Sequence, residues 1–122
     1  ALARAEILLG DFSLALNYAG PGTFIYLDPP YYLPENARNS LYSLDGSINT
    51  RYGFNERDHI RVADVFRQLD RRGCLLMLSN SDTLFIRNLY PGYDIHVIDA
   101  KYSIKRLRRL RIRELVIRNY RD

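Results

Sequence analysis

Thr23-Phe24-Ile25-Tyr26-Leu27-Asp28-Pro29-Pro30-Tyr31 is the stretch on which the reading of this chain turns. Its first five residues are apolar or β-branched, with Gly20-Pro21-Gly22 ahead of them and a double proline behind. That pattern describes a short strand buried on both faces. Proline has no N–H and a fixed φ, so Pro29-Pro30 cannot continue a ladder and turns the chain out at the strand's carboxyl end. In an open α/β sheet, that edge is where ligands sit.

The turn gathers the Asp28 carboxylate, proline-flanked carbonyls and the Tyr31 ring. Acceptors beside a ring suit a flat partner that carries an amine. A nucleobase amino group would donate to Asp28 and to the Pro29 carbonyl while its face stacks on Tyr31, and its lone pair would stay free for attack on an electrophile. The same residues also describe a tight Pro-Pro turn in which Asp28 caps nearby N–H groups and Tyr31 lies in the core.

With 122 residues and 47% hydrophobic content, the chain has the material for one core. It holds no apolar run long enough to span a bilayer and no leader pattern at Ala1, which predicts a soluble, cytoplasmic protein. The one cysteine, Cys74, sits in an apolar run and reads as core. Two histidines far from it in sequence give no metal-site spacing. A net charge of +4 suits a polyanionic partner.

Outward from the central strand, Ala5–Leu9 reads as another short strand, and Phe12–Ala19 as a short helix for which Asp11 is a natural N-cap. Residues 33–55 form a polar segment too long for an ordinary connection. We read it as a loop over the site, with Tyr42, Tyr52 and Phe54 as aromatic anchors and Arg38 and Arg51 available to phosphates. Asn55 caps a helix whose apolar stripe comprises Ile60, Val62, Ala63, Val65, Phe66 and Leu69, and Gly73 stops it. Cys74–Leu78 is the second buried strand. It runs into a polar turn, Ser79-Asn80-Ser81-Asp82, from which Asp82 and Thr83 cap a helix over Leu84–Leu89. Strands follow at Tyr93–Ile98 and Ile112–Tyr120. Between them, a basic hairpin over 99–113 concentrates Lys101, Lys105, Arg106, Arg108, Arg109, Arg111 and Arg113, out of 18 lysines and arginines in all. Such a run matches phosphate, although a solvated face has the same composition.

These motifs, in this order, resemble the amino-group (adenine-N6) DNA methyltransferases of class alpha, and in particular the Dam-type adenine methylases. The resemblance rests on Asp28-Pro29-Pro30-Tyr31 after an apolar strand and on Gly10-Asp11-Phe12 before it. Tyr52-Gly53-Phe54 ahead of a helix, Leu78-Ser79-Asn80-Ser81-Asp82-Thr83, and Glu114-Leu115-Val116-Ile117-Arg118-Asn119-Tyr120 extend it over nearly the whole chain.

The resemblance implies an α/β fold, a partial class I (Rossmann-like) methyltransferase sheet. It implies S-adenosyl-L-methionine as cofactor, bound in part by Asp11, Phe12 and Asp28. Asp28, Pro29, Pro30 and Tyr31 become the catalytic turn. Tyr31, Phe54, Tyr52, Lys105, Arg106, Arg108 and Arg109 become contacts to double-stranded DNA with a flipped adenine, the state that exposes its amino group. Restriction-modification is the setting it suggests.

Two departures qualify the resemblance. Members carry Arg-Ser-Ile-Asn at the head of the basic hairpin, where this chain has Tyr102-Ser103-Ile104-Lys105 and then Arg-Leu repeats. The Gly-rich turn that receives the cofactor's methionine end and the segment that reads DNA sequence are both absent from these 122 residues. The chain therefore reads as the C-terminal catalytic portion of such an enzyme. By itself it is expected to be inactive and self-associating, with the Phe24 strand at an open sheet edge and a missing N-terminal half as its natural partner.

Overall fold

The computed structural model describes residues 11–34, 54–102 and 105–121. The strand expected at Ala5–Leu9, most of the 33–55 loop, and Tyr42, Tyr52, Arg38 and Arg51 lie outside them.

A 3-10 turn (Phe12–Leu14) leads into a one-turn helix α1 (Ala15–Tyr18), and strand β1 covers Phe24–Leu27. Helix α2 (Glu56–Arg71), strand β2 (Leu75–Ser81), helix α3 (Leu84–Leu89) and strand β3 (Asp94–Val97) follow. A 3-10 turn (Ala100–Tyr102), a short helix α4 (Lys105–Arg109) and strand β4 (Glu114–Arg118) complete the order.

The strands form one sheet in the order β1-β2-β4-β3. β1 and β2 are parallel and joined through α2, whereas β4 runs antiparallel to both of its neighbours. This is a mixed α/β architecture. As expected from the sequence, β1 is an edge of the described sheet, with Phe24 and Tyr26 exposed.

α2 sets the core. Asn55 and Asp58 form a reciprocal capping box, Glu56 and Asp58 place negative charge in the first turn, and Arg71 lies in the last. Gly73, at φ 85°, ends the helix in a conformation that glycine adopts without strain. Val62, Ala63, Val65, Phe66 and Leu69 are buried, at the spacing of one helix face. They meet Leu76 and Leu78 of β2 and Leu115 and Ile117 of β4, all buried in the same cluster. Ile60, placed in the stripe by the sequence reading, is instead 43% exposed.

Alternation along the strands gives the opposite sheet face a different character. Phe24, Tyr26 and Leu75 are exposed at one end of that face, while Ser79 and Ser81 are buried at the other. Ser79–Asp82 is therefore not a turn. β2 continues to Ser81, three residues past Leu78, which is the last partner of β1. Asn119 locks the far end of β2: it accepts from Leu76 N–H at 2.7 Å and donates to Asp70 (2.7 Å) and to the Cys74 carbonyl (2.8 Å). Among the described residues no helix is long and apolar enough to cross a membrane.

Candidate active site

The site forms where β1 stops and β2 does not. Asp28 follows the last residue of β1, and the double proline lifts the chain away from the sheet. Beyond that point β2 offers its side chains in place of ladder bonds. Asn80 Oδ1 accepts from Tyr32 N–H at 2.9 Å and from Ser81 N–H at 2.8 Å. Ser81 Oγ donates to the Tyr32 carbonyl at 2.5 Å. Tyr32 is thus bound through both backbone groups, and the turn before it is held between the strand and this clamp. The buried polar residues Asn80 and Ser81 are thus the part of the Ser79–Asp82 stretch that holds the turn.

Asp28 is exposed as a residue, and among the described residues no hydrogen bond occupies its carboxylate. Its pKa is raised above the usual carboxylate value, first by partial burial of the carboxyl and then by the charge of Glu114. Among the described residues no N–H takes the Pro29 carbonyl. Tyr31 is half-buried and its hydroxyl donates to Glu114 at the head of β4. Burial, followed by that bond, pushes the Tyr31 hydroxyl pKa up, so it remains a donor. Tyr26 and Ser79 pair their hydroxyls at 2.7 Å on the same sheet face.

Helix α4 sits against this turn. Leu107 is buried with Leu33, and Tyr31, Leu110 and Ile112 pack around the pair. The Arg-Leu repeats thereby acquire a physical sense: the leucines anchor the segment beside Tyr31. Lys105, Arg108 and Arg109 remain exposed on it. The Arg106 side chain lies outside the described part. The basic hairpin of 99–113 is thus a β3–β4 connection carrying a 3-10 turn and a helix.

Of the three candidate cofactor residues, Asp28 belongs to this cluster, whereas Asp11 and Phe12 lie on the first turn, against α2. Asp11 caps the first turn by accepting from Ser13 N–H at 3.1 Å, the capping role that sequence left open. Its two oxygens also take a bidentate bond from Arg61 at 2.9 and 3.0 Å, which with Ser13 holds the carboxyl well below the usual range. The Arg61 guanidinium lies 4.3 Å from the Phe12 ring centre, and Phe54 meets Phe12 edge-on at 6.4 Å. Aromatic contacts continue from Phe54 through His59 (4.8 Å) to Tyr32 (5.8 Å), so the Phe12 and Tyr31 regions are bridged by packed rings. His59 is buried, and burial lowers its pKa to about 4, which keeps it neutral beside Asn80 Nδ2 at 3.4 Å.

Tyr52 lies outside the described residues. Glu114, Asn80, His59 and Arg61 received no role from sequence reading. Arg61 is exposed on α2, and its guanidinium holds Asp11. Only the strand pairing brings Glu114 to Tyr31, and no local pattern signals it. Asp82, read as a cap, instead pairs with Arg87 at 2.6 Å, and Arg113 lies 2.7 Å from its other oxygen. Thr83 alone caps α3.

A family described as D12 class N6 adenine-specific DNA methyltransferase matches residues 1–104. The chain is 42% identical over 123 residues to the type II methyltransferase M.MjaIII of Methanocaldococcus jannaschii, covering 98% of this chain and 40% of that protein. It is 37% identical over 117 residues to the type II methyltransferase M1.LlaDCHI of Lactococcus lactis subsp. cremoris, covering 94% and 39%. It is 35% identical over 101 residues to the retron Ec67 DNA adenine methylase of Escherichia coli, covering 83% and 32%. The chain thus spans about 40% or less of the length of these relatives.

Proposed function

Because the chain belongs to the D12 class N6 adenine-specific DNA methyltransferase family, we propose that it is the catalytic portion of an enzyme that methylates the N6 amino group of adenine in double-stranded DNA. The observation that carries this reading is the exposed Asp28 carboxylate at the end of β1, to which no described residue donates, with Tyr31 fixed beside it.

Asp28 and the Pro29 carbonyl accept the two amine hydrogens. This directs the nitrogen lone pair away from the acceptors and along the line of transfer. The Tyr31 ring stacks on the base, as aromatic side chains do for extruded nucleotides. After the new N–C bond forms, the nitrogen must lose a proton. A carboxylate with a raised pKa is suited to take it and pass it to solvent. Lys105, Arg108 and Arg109, exposed beside the turn, place the phosphate backbone, and Phe54 contacts the incoming base; the resemblance assigns the same roles to Arg106 and Tyr52.

The donor set fits S-adenosyl-L-methionine at its adenine end. Asp11 Oδ1 accepts one bond from Arg61, which leaves a lone pair for an amino group, and Phe12 offers part of a ring to a purine. When bound, the cofactor supplies a sulfonium-activated methyl group. Its methionine end requires residues beyond those described. In the fold this reading implies, the sheet is one side of a class I methyltransferase domain, and the open β1 edge accepts the strand of an N-terminal half.

The test is a full-length chimera in which this chain replaces the matching segment of M.MjaIII, assayed for methyl transfer to adenine-containing duplex DNA. Transfer by the chimera, abolished by Asp28→Ala and weakened chiefly in DNA KM by Tyr31→Ala, is the expected result. Equal activity after Asp28→Ala overturns the assignment. DNA binding without transfer, in a correctly folded chimera, points to a non-catalytic DNA-binding remnant.

A further inference from the structure

We propose that Glu114 is a positioning residue for base capture: through the Tyr31 hydroxyl it holds the ring in the orientation that receives the flipped adenine. The inference rests on the reaction proposed above.

Glu114 opens β4, and pairing with Ser81 of β2 fixes its backbone. Its carbonyl accepts from Ile98 N–H at 2.8 Å, so the residue is bound on the β3 side as well. The rigid centre of the sheet therefore carries a carboxylate to the tip of a ring that itself lies on a turn beyond the edge strand. The Tyr31 hydroxyl donates to that carboxylate, and Leu33 and Leu107 pack against the ring.

A tyrosine held at its tip and on its flank has lost most of its χ1 and χ2 freedom before any base arrives. A base that stacks on a preset ring avoids the cost of ordering it, which appears as tighter capture rather than as a faster chemical step. A hydrogen bond to a charged acceptor is stronger than a neutral one, which suits a tie that must survive partial exposure.

The arrangement carries an electrostatic cost that a purely structural residue would have no reason to impose. Glu114 raises the pKa of Asp28, so two carboxylates repel across the site. An acceptor for Tyr31 need not be charged for the fold's sake. Placing a carboxylate there makes the tie strong, and it also biases Asp28 toward taking up a proton.

The experiment uses the chimera carrying Glu114→Ala, Tyr31→Phe, both together, and Glu114→Gln. Each of the first two raises the KM for duplex DNA roughly ten-fold, the ratio that one charge-assisted hydrogen bond typically confers. For both, the effect on this KM exceeds any effect on kcat, and the KM for S-adenosyl-L-methionine changes little. The double variant is no worse than either single one, because both remove the same bond. Glu114→Gln, whose amide oxygen still accepts but carries no charge, recovers part of the loss. Additive effects of the two single variants, or a Glu114→Gln enzyme as impaired as Glu114→Ala, overturn the proposal. The same cycle read by urea unfolding shows whether the bond exists without reference to catalysis, and absence of coupling there overturns it as well. An unsubstituted chimera that folds but transfers no methyl group removes the methylase reading and with it any role for Glu114 in capture, whatever the unfolding cycle shows.

Discussion

Replacing Asn80 with leucine tests whether the turn after β1 is held by a buried amide. The substitution keeps the side-chain volume but deletes both acceptor and donor. Asn80 is 1% exposed, so water cannot readily take over its bonds. Two backbone N–H groups lose their partner, Tyr32 at 2.9 Å and Ser81 at 2.8 Å. A buried, unsatisfied N–H costs about 1–3 kcal/mol. Ser81 is fully buried and carries the full penalty, whereas Tyr32 is half-buried and can relax toward solvent. Leucine regains part of the loss through apolar burial. The net destabilisation is therefore about 2–3 kcal/mol. With an unfolding entropy of about 2.1 cal/mol/K per residue, that corresponds to a fall of roughly 8–12 °C in Tm. Urea unfolding followed by tyrosine fluorescence reads it directly, since the chain has ten tyrosines and no tryptophan. Asn80→Asp keeps the accepting oxygen but puts a carboxylate at a buried position, so its loss should shrink as pH falls and the carboxyl protonates. A change below about 0.5 kcal/mol for Asn80→Leu would refute the clamp.

His59 gives a pH dependence of known sign. Its folded pKa, lowered to about 4 by burial, lies below the unfolded value of 6.5, so the unfolded chain binds more protons between the two. Stability is full above pH 6.5 and falls toward pH 4, and His59→Phe should flatten that slope in urea midpoints measured across the window. Asp28 has the opposite sense. A carboxylate with a raised pKa destabilises the fold once ionised, so Asp28→Asn should raise the urea midpoint at pH 7 while abolishing methyl transfer by the chimera. Arg108→Ala and Arg109→Ala should each weaken DNA binding irrespective of sequence and reduce the slope of log K against log salt by about one. An unchanged slope would place these arginines on a solvated face.

The elements that sequence reading recovered are those with a local physical signature. α2 has a capping box, an apolar stripe and a glycine stop, and β1 has a double proline that ends it. α3 was read at Leu84–Leu89 and is found there. The errors came where a partner distant in sequence overrides composition. Ser79-Asn80-Ser81 is polar and reads as a turn, yet β4 pairs with it and the turn after Pro30 buries it. Polar residues persist in that strand because β1 has ended, and their side chains replace its ladder. The Arg-Leu repeats gave only charge to a sequence reading. Leu107 has meaning once Leu33 is brought beside it, 74 positions earlier in the chain. Glu114 illustrates the limit most clearly, since the bond to Tyr31 spans 83 residues.

The same comparison explains why the site sits at a discontinuity of the sheet. An edge strand that stops short leaves its neighbour with unpaired groups, which cost free energy when buried. Here the Ser81 N–H is satisfied by Asn80 Oδ1 of β2 itself, and the Asn80 and Ser81 side chains also fix the backbone of the departing turn at Tyr32. Asp28 is left as the polar group of that turn to which no described residue donates, one residue beyond the sheet and next to a second carboxylate. A fold selected for stability alone would neutralise it with an arginine, as Asp11, Asp82 and Asp94 are neutralised elsewhere in the molecule. An aspartate to which no described residue donates, where Asp11, Asp64, Asp82 and Asp94 have guanidinium partners, suits an incoming amine. Asp11, Asp82 and Asp94 carry depressed pKa values and Asp28 a raised one, so the contrast is visible within a single chain.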